Sequence, residues 1–225
     1  MKNVILLVLI SIVIEGQTRP LSCEEGYVLK KSDQAINQLS NKICTPTFGQ
    51  DPDEYLHYEN DIKNKSVQER LVYEYTYFCY SKINSELRKT TQQDLDILNL
   101  SLQLDIALCN YPNYIGEAYR GIDLPEDVLQ LYLNSKTIVF PSFTSASKKH
   151  TIGCDFAKNT LFKIHSKNGR DIIQQSKHKE ENEILFRLNS KFKVIDATYG
   201  AEAKIKAGCN NKNIQAFIEL EELEN

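Results

Sequence analysis

The spacing of apolar residues changes near residue 115, and this change limits the folds open to the chain. Before it, apolar side chains such as Val67, Leu71 and Tyr75 recur at three- and four-residue steps, as they do on one face of an α-helix. After it come short runs rich in β-branched and aromatic residues, separated by Gly, Asn, Ser and Lys, which predict strands. The sequence therefore predicts a single α+β domain at 19–225, with a helical part at 19–115 packed on a β-rich part at 116–225.

Local signals place some of the elements. Ser66 and Glu69 form a capping-box pattern, which predicts a helix that continues to about Arg88. Thr91 with Asp94 predicts the start of the next helix. Further along, the run SKNGRD between TLFKIH and RDIIQ predicts a hairpin turn.

The first 18 residues have the pattern of an export signal. Lys2 precedes an aliphatic run, Val4–Ile14, which is too short to span a bilayer comfortably, and Gly16 and Thr18 are small residues at which cleavage could occur. We therefore expect a secreted protein with no membrane span. The net charge of −3 and the lack of a long Lys/Arg run give no indication of a nucleic-acid partner.

All six cysteines follow the predicted signal, and none forms a C-x-x-C pair, so zinc is not expected. In an exported chain this even number favours up to three disulfides, and the sequence does not choose among the 15 full pairings. Cys79 lies on an apolar helix face, so a buried free thiol is the alternative there. N-x-S sequons at Asn64 and Asn99 also fit an exported glycoprotein.

Polar residues interrupt three predicted strands. Arg120 beside Gly121 needs a partner, and a diphosphate would suit its guanidinium; a surface carboxylate is the alternative. Ser145 alternates with Ser147, so both hydroxyls would lie on one side of an extended segment, unless the segment is simply a polar turn.

The third interruption is the run EENEILF. In a strand, Glu181 and Glu183 would project from the same face, roughly 6–7 Å apart, while Glu180 would either point the other way or belong to the preceding loop. Two carboxylates on one face repel each other, and Glu183 directly precedes an apolar run where an idle charge is expensive. A solvated strand end is the alternative reading.

An arginine, then a Ser-x-Ser and then a Glu-x-Glu, each on a separate strand, resemble the arginine–serine–glutamate class of mono-ADP-ribosyltransferases, which includes vertebrate ecto-enzymes and bacterial toxins. The segments YTYFCYSKINSELR, YIGEAYRG and FPSFTSAS are similar to other motifs of this family, and the resemblance extends from about residue 60 to 200. One departure is Ala146, which stands where the family has a threonine between the two serines.

The resemblance implies an NAD-binding β-sandwich core and transfer of ADP-ribose from NAD to arginine side chains, with release of nicotinamide. By the same resemblance, Arg120 would bind the NAD phosphates, and the Gly121 backbone would meet the nicotinamide carboxamide. Ser145 would orient Glu183, which would bind the ribose and stabilise positive charge at C1′. Glu181 would hold the incoming guanidinium, and a glutamate at this position accompanies arginine acceptors in the family.

The remaining implications concern partners and pairing. NAD would be a co-substrate with no metal, the acceptor would be a protein with an exposed arginine docking at the loop Gln174–Glu180, and the enzyme would be a monomer. The family pattern also implies a disulfide from Cys23 or Cys44 to Cys209. The alternatives are an NAD glycohydrolase, in which water is the acceptor, and a secreted NAD-binding module without turnover.

Overall fold

The computed structural model describes residues 22–46, 52–210 and 213–224. The predicted export signal at 1–18 lies outside these residues. Within the described ranges, no helix combines the length and the apolar character needed to cross a membrane.

The helical part lies where the apolar period predicts it. Its helices are α1 (Cys23–Leu29), α2 (Asp33–Ile43), α3 (Pro52–Ile62), α4 (Val67–Glu74), α5 (Tyr80–Leu87) and α6 (Leu95–Leu108). Ser66 caps α4, and its capping box with Glu69 is complete as predicted. The cap of α6 is Asp94, whose carboxylate accepts from the backbone N–H groups of the first turn.

The predicted helix from Ser66 to about Arg88 is confirmed, and it contains one irregularity at its centre. Tyr75–Cys79 form a π-helical turn between α4 and α5. Such turns insert an extra residue into the helical ladder and are frequent at functional sites. Here the turn lies beside the cavity that Arg120 and Glu183 also line, and Tyr75, Thr76 and Tyr77 all contribute to its wall.

The β-rich part forms one network of hydrogen-bonded strands. These are β1 (Asn113–Ile122), β2 (Thr137–Phe140), β3 (Thr144–Ser147), β4 (Thr160–Asp171), β5 (Glu183–Phe186), β6 (Ser190–Tyr199) and β7 (Ala216–Glu222). Their order is β1-β3-β5-β4-β7-β6-β2, and β1 also pairs with β4, so the sheet folds back on itself. The β4–β7 pair is parallel and the other pairs are antiparallel, which confirms the predicted mixed α+β fold. The helices α7 (Glu126–Asn134), α8 (His150–Phe156) and α9 (Ala201–Ala207) connect strands.

The hairpin predicted at SKNGRD is wrong, because β4 continues through it. The buried carboxylate of Glu222 accepts hydrogen bonds from the backbone N–H groups of Lys167 and Asn168, at 2.7 and 2.8 Å, and from the hydroxyl of Ser166. The polar groups of Ser166, Lys167 and Asn168 therefore find hydrogen-bond acceptors although the chain does not turn back at this point. The result is a bulge within one long strand.

The cysteines form three disulfides: Cys23–Cys109, Cys44–Cys79 and Cys154–Cys209. The implied bond from Cys23 or Cys44 to Cys209 is wrong, and so is the alternative of a free Cys79. Two bonds tie the helical part together, and the third joins α8 to the residues after α9. Cross-links inside each layer stabilise the elements that surround the cavity described below.

The short strand β5 is the centre of the molecule, because both of its faces are covered. Leu185 belongs to the apolar cluster shared with the helical part, whereas Ile184 and Phe186 belong to the cluster enclosed by the sheet. All four residues of β5 are buried, and the first of them is Glu183. This burial explains why the carboxylate directly precedes an apolar run.

Candidate active site

A cavity of about 440 Å³ lies between the helical part, β1, β3, α8 and the segment that precedes β5. Arg120, Ser145, Glu181 and Glu183 all line it. Three separate segments that the sequence singles out therefore converge on one cavity.

Strand register produces this convergence. Tyr119 of β1 lies opposite Ser147 of β3, and Ser147 in turn lies opposite Glu183 of β5. Cross-strand neighbours have Cβ atoms about 4.5–5.5 Å apart, so these pairs bring the three strands to one edge of the cavity. Arg120 is tied to the same edge, because its Nη1 donates to the carbonyl oxygen of Ser145 at 2.7 Å.

Glu183 is a buried carboxylate held by two hydroxyls. Only 7% of its surface is exposed. Ser176 Oγ donates to Glu183 Oε2 at 3.0 Å, and Ser145 is a second side-chain partner. Burial raises the pKa of Glu183, and the bonds from the serines oppose that rise without cancelling it. Nearby Glu181 raises the same pKa further.

Glu181 reaches the cavity from a turn and not from the strand. It ends a 3-10 turn, Lys179–Glu181, and Asn182 then adopts the left-handed conformation with φ of 51°. The prediction that Glu181 and Glu183 project from one face of one strand is therefore wrong, although both reach the same cavity. Burial raises the pKa of Glu181, partly offset by His178. Glu180 is exposed, in line with its assignment to the loop.

The turn that carries Glu181 is fastened to β3. Ser147 Oγ donates to the carbonyl oxygen of Glu181 at 2.5 Å, and the N–H of Lys148 donates to the carbonyl oxygen of Asn182 at 3.1 Å. The second serine of the Ser-x-Ser motif thus positions the turn, while the first, Ser145, contacts Glu183.

Arg120 lies close to a second arginine. Burial lowers the pKa of Arg120, and the charge of Arg88 lowers it further. Among the described residues no carboxylate lies within 4 Å of the Arg120 guanidinium, so the alternative of a surface ion pair is wrong. Two guanidiniums in one neighbourhood, one of them desolvated, suit a dianionic ligand. Sequence reasoning gave Arg88 no role, although it ends the family-like helical motif.

Aromatic rings also line the cavity. Tyr75 is 2% exposed, accepts a hydrogen bond from Asn84 Nδ2 at 2.9 Å, and packs edge-on against Phe143 at 5.4 Å between ring centroids. Phe143 belongs to the apolar core and also lines the cavity, whereas Phe156 lines it at the rim and is 56% exposed.

Gly121 allows α8 to pack directly on β1. A Cβ at this position would lie 2.1 Å from the backbone nitrogen of Ala157 and 2.1 Å from the carbonyl oxygen of Gly153. This close approach carries Ile152 and Phe156 of α8 to the cavity. Helix packing thus accounts for the glycine independently of any ligand.

His150, Cys154 and Cys209 place ligand-type atoms within 4.8 Å of one another. Both sulfurs are engaged in the Cys154–Cys209 disulfide, so they offer no thiolate to a metal. His150 Nε2 also lies 2.7 Å from the carbonyl oxygen of Ala207. This cluster is therefore a structural junction between α8 and α9.

Comparison with known proteins identifies the class. The family described as NAD:arginine ADP-ribosyltransferase matches residues 72–214. The chain belongs to this family. Residues that supply the cavity's arginine, serine and carboxylates all fall within the matched range.

Individual relatives agree with that assignment. Over 131 residues, 55% of this chain, it is 37% identical to Mav of Mycobacterium avium (strain 104), an NAD(+)–arginine ADP-ribosyltransferase by name. The chain spans only 15% to 26% of the length of the curated relatives it matches.

Two solved structures show the same fold. The type III effector XopAI from Xanthomonas axonopodis pv. citri has a TM-score of 0.66 at 15% identity, covering 89% of this chain and 92% of that one. Exoenzyme S from Pseudomonas aeruginosa, bound to carba-NAD, has a TM-score of 0.61 at 17% identity, covering 85% and 89%.

Proposed function

We propose that this protein transfers ADP-ribose from NAD⁺ to arginine side chains of acceptor proteins and releases nicotinamide. The observation that carries the proposal is the convergence of Arg120, Glu181 and Glu183 on one cavity, with Glu183 buried and hydrogen-bonded. Membership of the NAD:arginine ADP-ribosyltransferase family supports it.

Arg120 and Arg88 would hold the diphosphate of NAD⁺. Guanidiniums bind phosphate oxygens in bidentate fashion, and a bound dianion would relieve the repulsion between the two arginines. The carba-NAD complex of exoenzyme S, which shares the fold, supports a dinucleotide as the co-substrate.

Glu183 would act at the sugar. The C1′–N bond breaks with its electron pair leaving on nicotinamide, and positive charge develops on the ribose. An ionised Glu183, oriented by Ser145, would accept a hydrogen bond from the ribose 2′-OH and stabilise that charge. Its position at the start of a doubly buried strand fixes it before the substrate arrives.

Glu181 would act at the acceptor. A guanidine nitrogen attacks C1′ and loses one proton, and a free guanidinium has a pKa above 12, so its neutral form is scarce at pH 7. Glu181 would hold the guanidinium and accept the proton. The raised pKa of Glu181 makes it a stronger base than a solvated glutamate.

The test uses three isosteric variants in one run: Glu183→Gln, Glu181→Gln and Glu180→Gln. Each is incubated with labelled NAD⁺ and agmatine, a small guanidine, and both ADP-ribosyl-agmatine and free nicotinamide are measured. Glu183→Gln should lower both products by about 10²–10³-fold, the scale for losing one charge-stabilising group. Glu181→Gln should lower transfer more than nicotinamide release.

Glu180→Gln is the matched control, since its carboxylate is solvated one residue away, and it should behave as the unmodified protein. Nicotinamide release without label on agmatine would favour the glycohydrolase instead. No product from the unmodified protein would leave only the NAD-binding module. Equal rates in all three variants would refute the site.

We also propose that the chain is exported as a monomer after removal of residues 1–18 and acts on a protein with an exposed arginine. The three disulfides support an oxidising compartment. Exposure of Asn64 supports glycosylation there, whereas the sequon of Asn99 includes the buried Ser101. Intact mass and N-terminal sequencing of protein collected from the medium of an expressing cell would test the removal of residues 1–18, the disulfides and the glycosylation.

A further inference from the structure

Within the proposed transferase reaction, we propose that Ser176 and Lys177 are a pair of positioning residues. Ser176 holds Glu183 in place, and Lys177 fastens the segment that carries Glu181 to the helical part. This inference rests on the proposed function, and neither residue touches the reacting atoms.

Ser176 lies at the base of the segment and is almost completely enclosed. It is 1% exposed, and its backbone N–H donates to the carbonyl oxygen of Ile172 at 2.8 Å, in a tight turn after β4. Its hydroxyl donates to Glu183 Oε2 at 3.0 Å and accepts from the N–H of His178 at 3.2 Å. One hydroxyl therefore joins the buried carboxylate to the chain that leads to Glu181.

Lys177 projects the other way, into a cage on the helical part. Its Nζ lies 3.2 Å from Asp61 Oδ2, 4.8 Å from the ring centroid of Tyr77 and 5.9 Å from that of Tyr73. Tyr73 completes the cage, because its hydroxyl donates to the same oxygen of Asp61 at 2.5 Å. Only 26% of the Lys177 side chain is exposed, so it is not a freely solvated lysine.

The backbone of Lys177 makes a second tie. Its N–H donates to Thr76 Oγ1 at 3.1 Å, and Thr76 Oγ1 donates to the carbonyl oxygen of Tyr73 at 2.9 Å. Thr76 is 8% exposed and belongs to the π-helical turn. That turn thus presents both the hydroxyl for the backbone and the ring of Tyr77 for the ammonium.

The two residues should affect different steps. Four positions separate Lys177 from Glu181, so releasing the ammonium would loosen Glu181, while Glu183 would keep both serine hydroxyls. Transfer to a guanidine should suffer and nicotinamide release should not. Removing the hydroxyl of Ser176 acts on Glu183 itself and should reduce both products.

The first experiment compares Lys177→Met, Lys177→Arg and the control Lys158→Met, a surface lysine 3.9 Å from its carboxylate partner. Lys177→Met should lower the ratio of ADP-ribosyl-agmatine to nicotinamide about tenfold. This is the size of effect expected when one ion pair and its cation–π contacts are lost together. Lys177→Arg should restore most of the ratio, and Lys158→Met should not change it. An unchanged ratio in Lys177→Met would overturn the role of Lys177.

A second readout does not depend on turnover. Amide hydrogen exchange across residues 172–182 should accelerate in Lys177→Met and not in Lys158→Met. Exchange that stays unchanged refutes the tie even if the protein proves to have no transferase activity. Conversely, accelerated exchange with no product in the unmodified protein would sustain the tie and refute the proposed function.

For Ser176 the readout is the pH profile. Ser176→Ala removes a hydrogen bond that stabilises the ionised carboxylate of Glu183. The pKa of Glu183 should therefore rise, and the acid limb of nicotinamide release should move to higher pH. Ser85→Ala, at an exposed hydroxyl that donates to the carbonyl oxygen of Lys82, is the control. A lower rate without movement of the acid limb would mean that Ser176 is only structural.

Discussion

Replacing Gly121 by alanine should damage the active site by pushing α8 away from β1. The added Cβ would lie 2.1 Å from Gly153 O and from Ala157 N, and real Cβ atoms essentially never approach within 3.0 Å. The backbone at the end of α8 must therefore move by about 0.9 Å. The N–H of Ala157, which donates to the carbonyl of Gly153 at 3.1 Å, lies directly at the clash.

The magnitude follows from these contacts. Forcing one carbon into a filled space costs about 1–3 kcal/mol, and weakening a backbone hydrogen bond adds about 1 kcal/mol. For a domain of this size each kcal/mol lowers Tm by about 2–4 °C. We therefore expect Tm to fall by about 4–16 °C in differential scanning fluorimetry, relative to unmodified protein in the same buffer.

The rate of nicotinamide release should fall even in the fraction of Gly121→Ala protein that remains folded. Ile152 and Phe156 of α8 line the cavity and would shift with the helix. A displacement of about 1 Å can cost about 10²-fold in rate, so nicotinamide release should decrease on that scale in folded protein.

Gly26→Ala is the matched control, because its new Cβ would meet only the Ile106 side chain, at 3.0 Å. A shift of a few tenths of an ångström at Ile106 relieves that contact, and the better helix propensity of alanine offsets its cost, so Tm should change much less than in Gly121→Ala. A Gly121→Ala protein with normal Tm and normal turnover would refute the packing argument.

Three further predictions follow from burial and cross-linking. Replacing both Cys154 and Cys209 by serine should lower the free energy of unfolding, measured in urea titrations, by up to about 4 kcal/mol. This is the loop-closure entropy expected for a separation of 55 residues. A loss under about 1 kcal/mol would show that the disulfide does not constrain α8. The acid limb of nicotinamide release should lie above pH 4.3, the ordinary pKa of glutamate, because burial raises the pKa of Glu183; a limb at or below that pH would argue against Glu183 as the group that must be ionised. Replacing Asp105 by asparagine should cost about 3–5 kcal/mol in urea because it leaves the buried guanidinium of Arg187 unpaired, whereas an Asp105→Leu/Arg187→Met double variant should cost less; equal losses would show that the pair is not coupled.

The raised pKa of Glu183 also fixes the sign of its effect on stability. A carboxyl with a folded-state pKa above its unfolded value binds a proton more tightly when folded, so the fold loses stability as pH rises through the unfolded pKa to the folded pKa. Above that pH window the ionised, buried Glu183 lowers the free energy of unfolding. Glu183→Gln should therefore be no less stable than the unmodified protein at neutral pH while losing turnover, as expected of a group retained for function.

The sequence predicts elements well where a local signal determines them. The Ser66–Glu69 capping box starts a helix at the predicted residue, because the interaction involves only neighbouring residues. The order of the arginine, Ser-x-Ser and Glu-x-Glu motifs was sufficient to place Arg120 and Glu183 in one cavity by family resemblance.

Features decided by distant partners were not predictable in this way. The bulge of β4 depends on Glu222, more than 50 residues away, so the same letters resemble a hairpin when they are considered alone. The π-helical turn preserves the apolar spacing on either side of it, and its extra residue is invisible to a periodicity count. The disulfide pairs depend on which Cα atoms the fold brings to 5.2–5.6 Å.

The error at Glu181 is the most informative of these, because it concerns chemistry. Period-2 spacing placed Glu181 beside Glu183 on one strand, but asparagine tolerates the left-handed conformation better than most residues, and Asn182 uses it to end the preceding turn. The two carboxylates therefore lie on separate supports. Glu183 is fixed by the doubly buried β5, while Glu181 is fixed by Ser147 and by the turn.

This separation gives the crowded glutamates a physical explanation. In the proposed reaction, a rigid strand with both faces covered would hold a desolvated carboxylate against the sugar, where small displacements are costly. A turn at the rim can present a second, half-exposed carboxylate to an acceptor that must enter from solvent. Because Ser147 holds the Glu181 turn while Glu183 is held within β5, a change in the turn should, in the proposed reaction, alter the choice between arginine and water more than it disturbs the carboxylate proposed to act at the sugar.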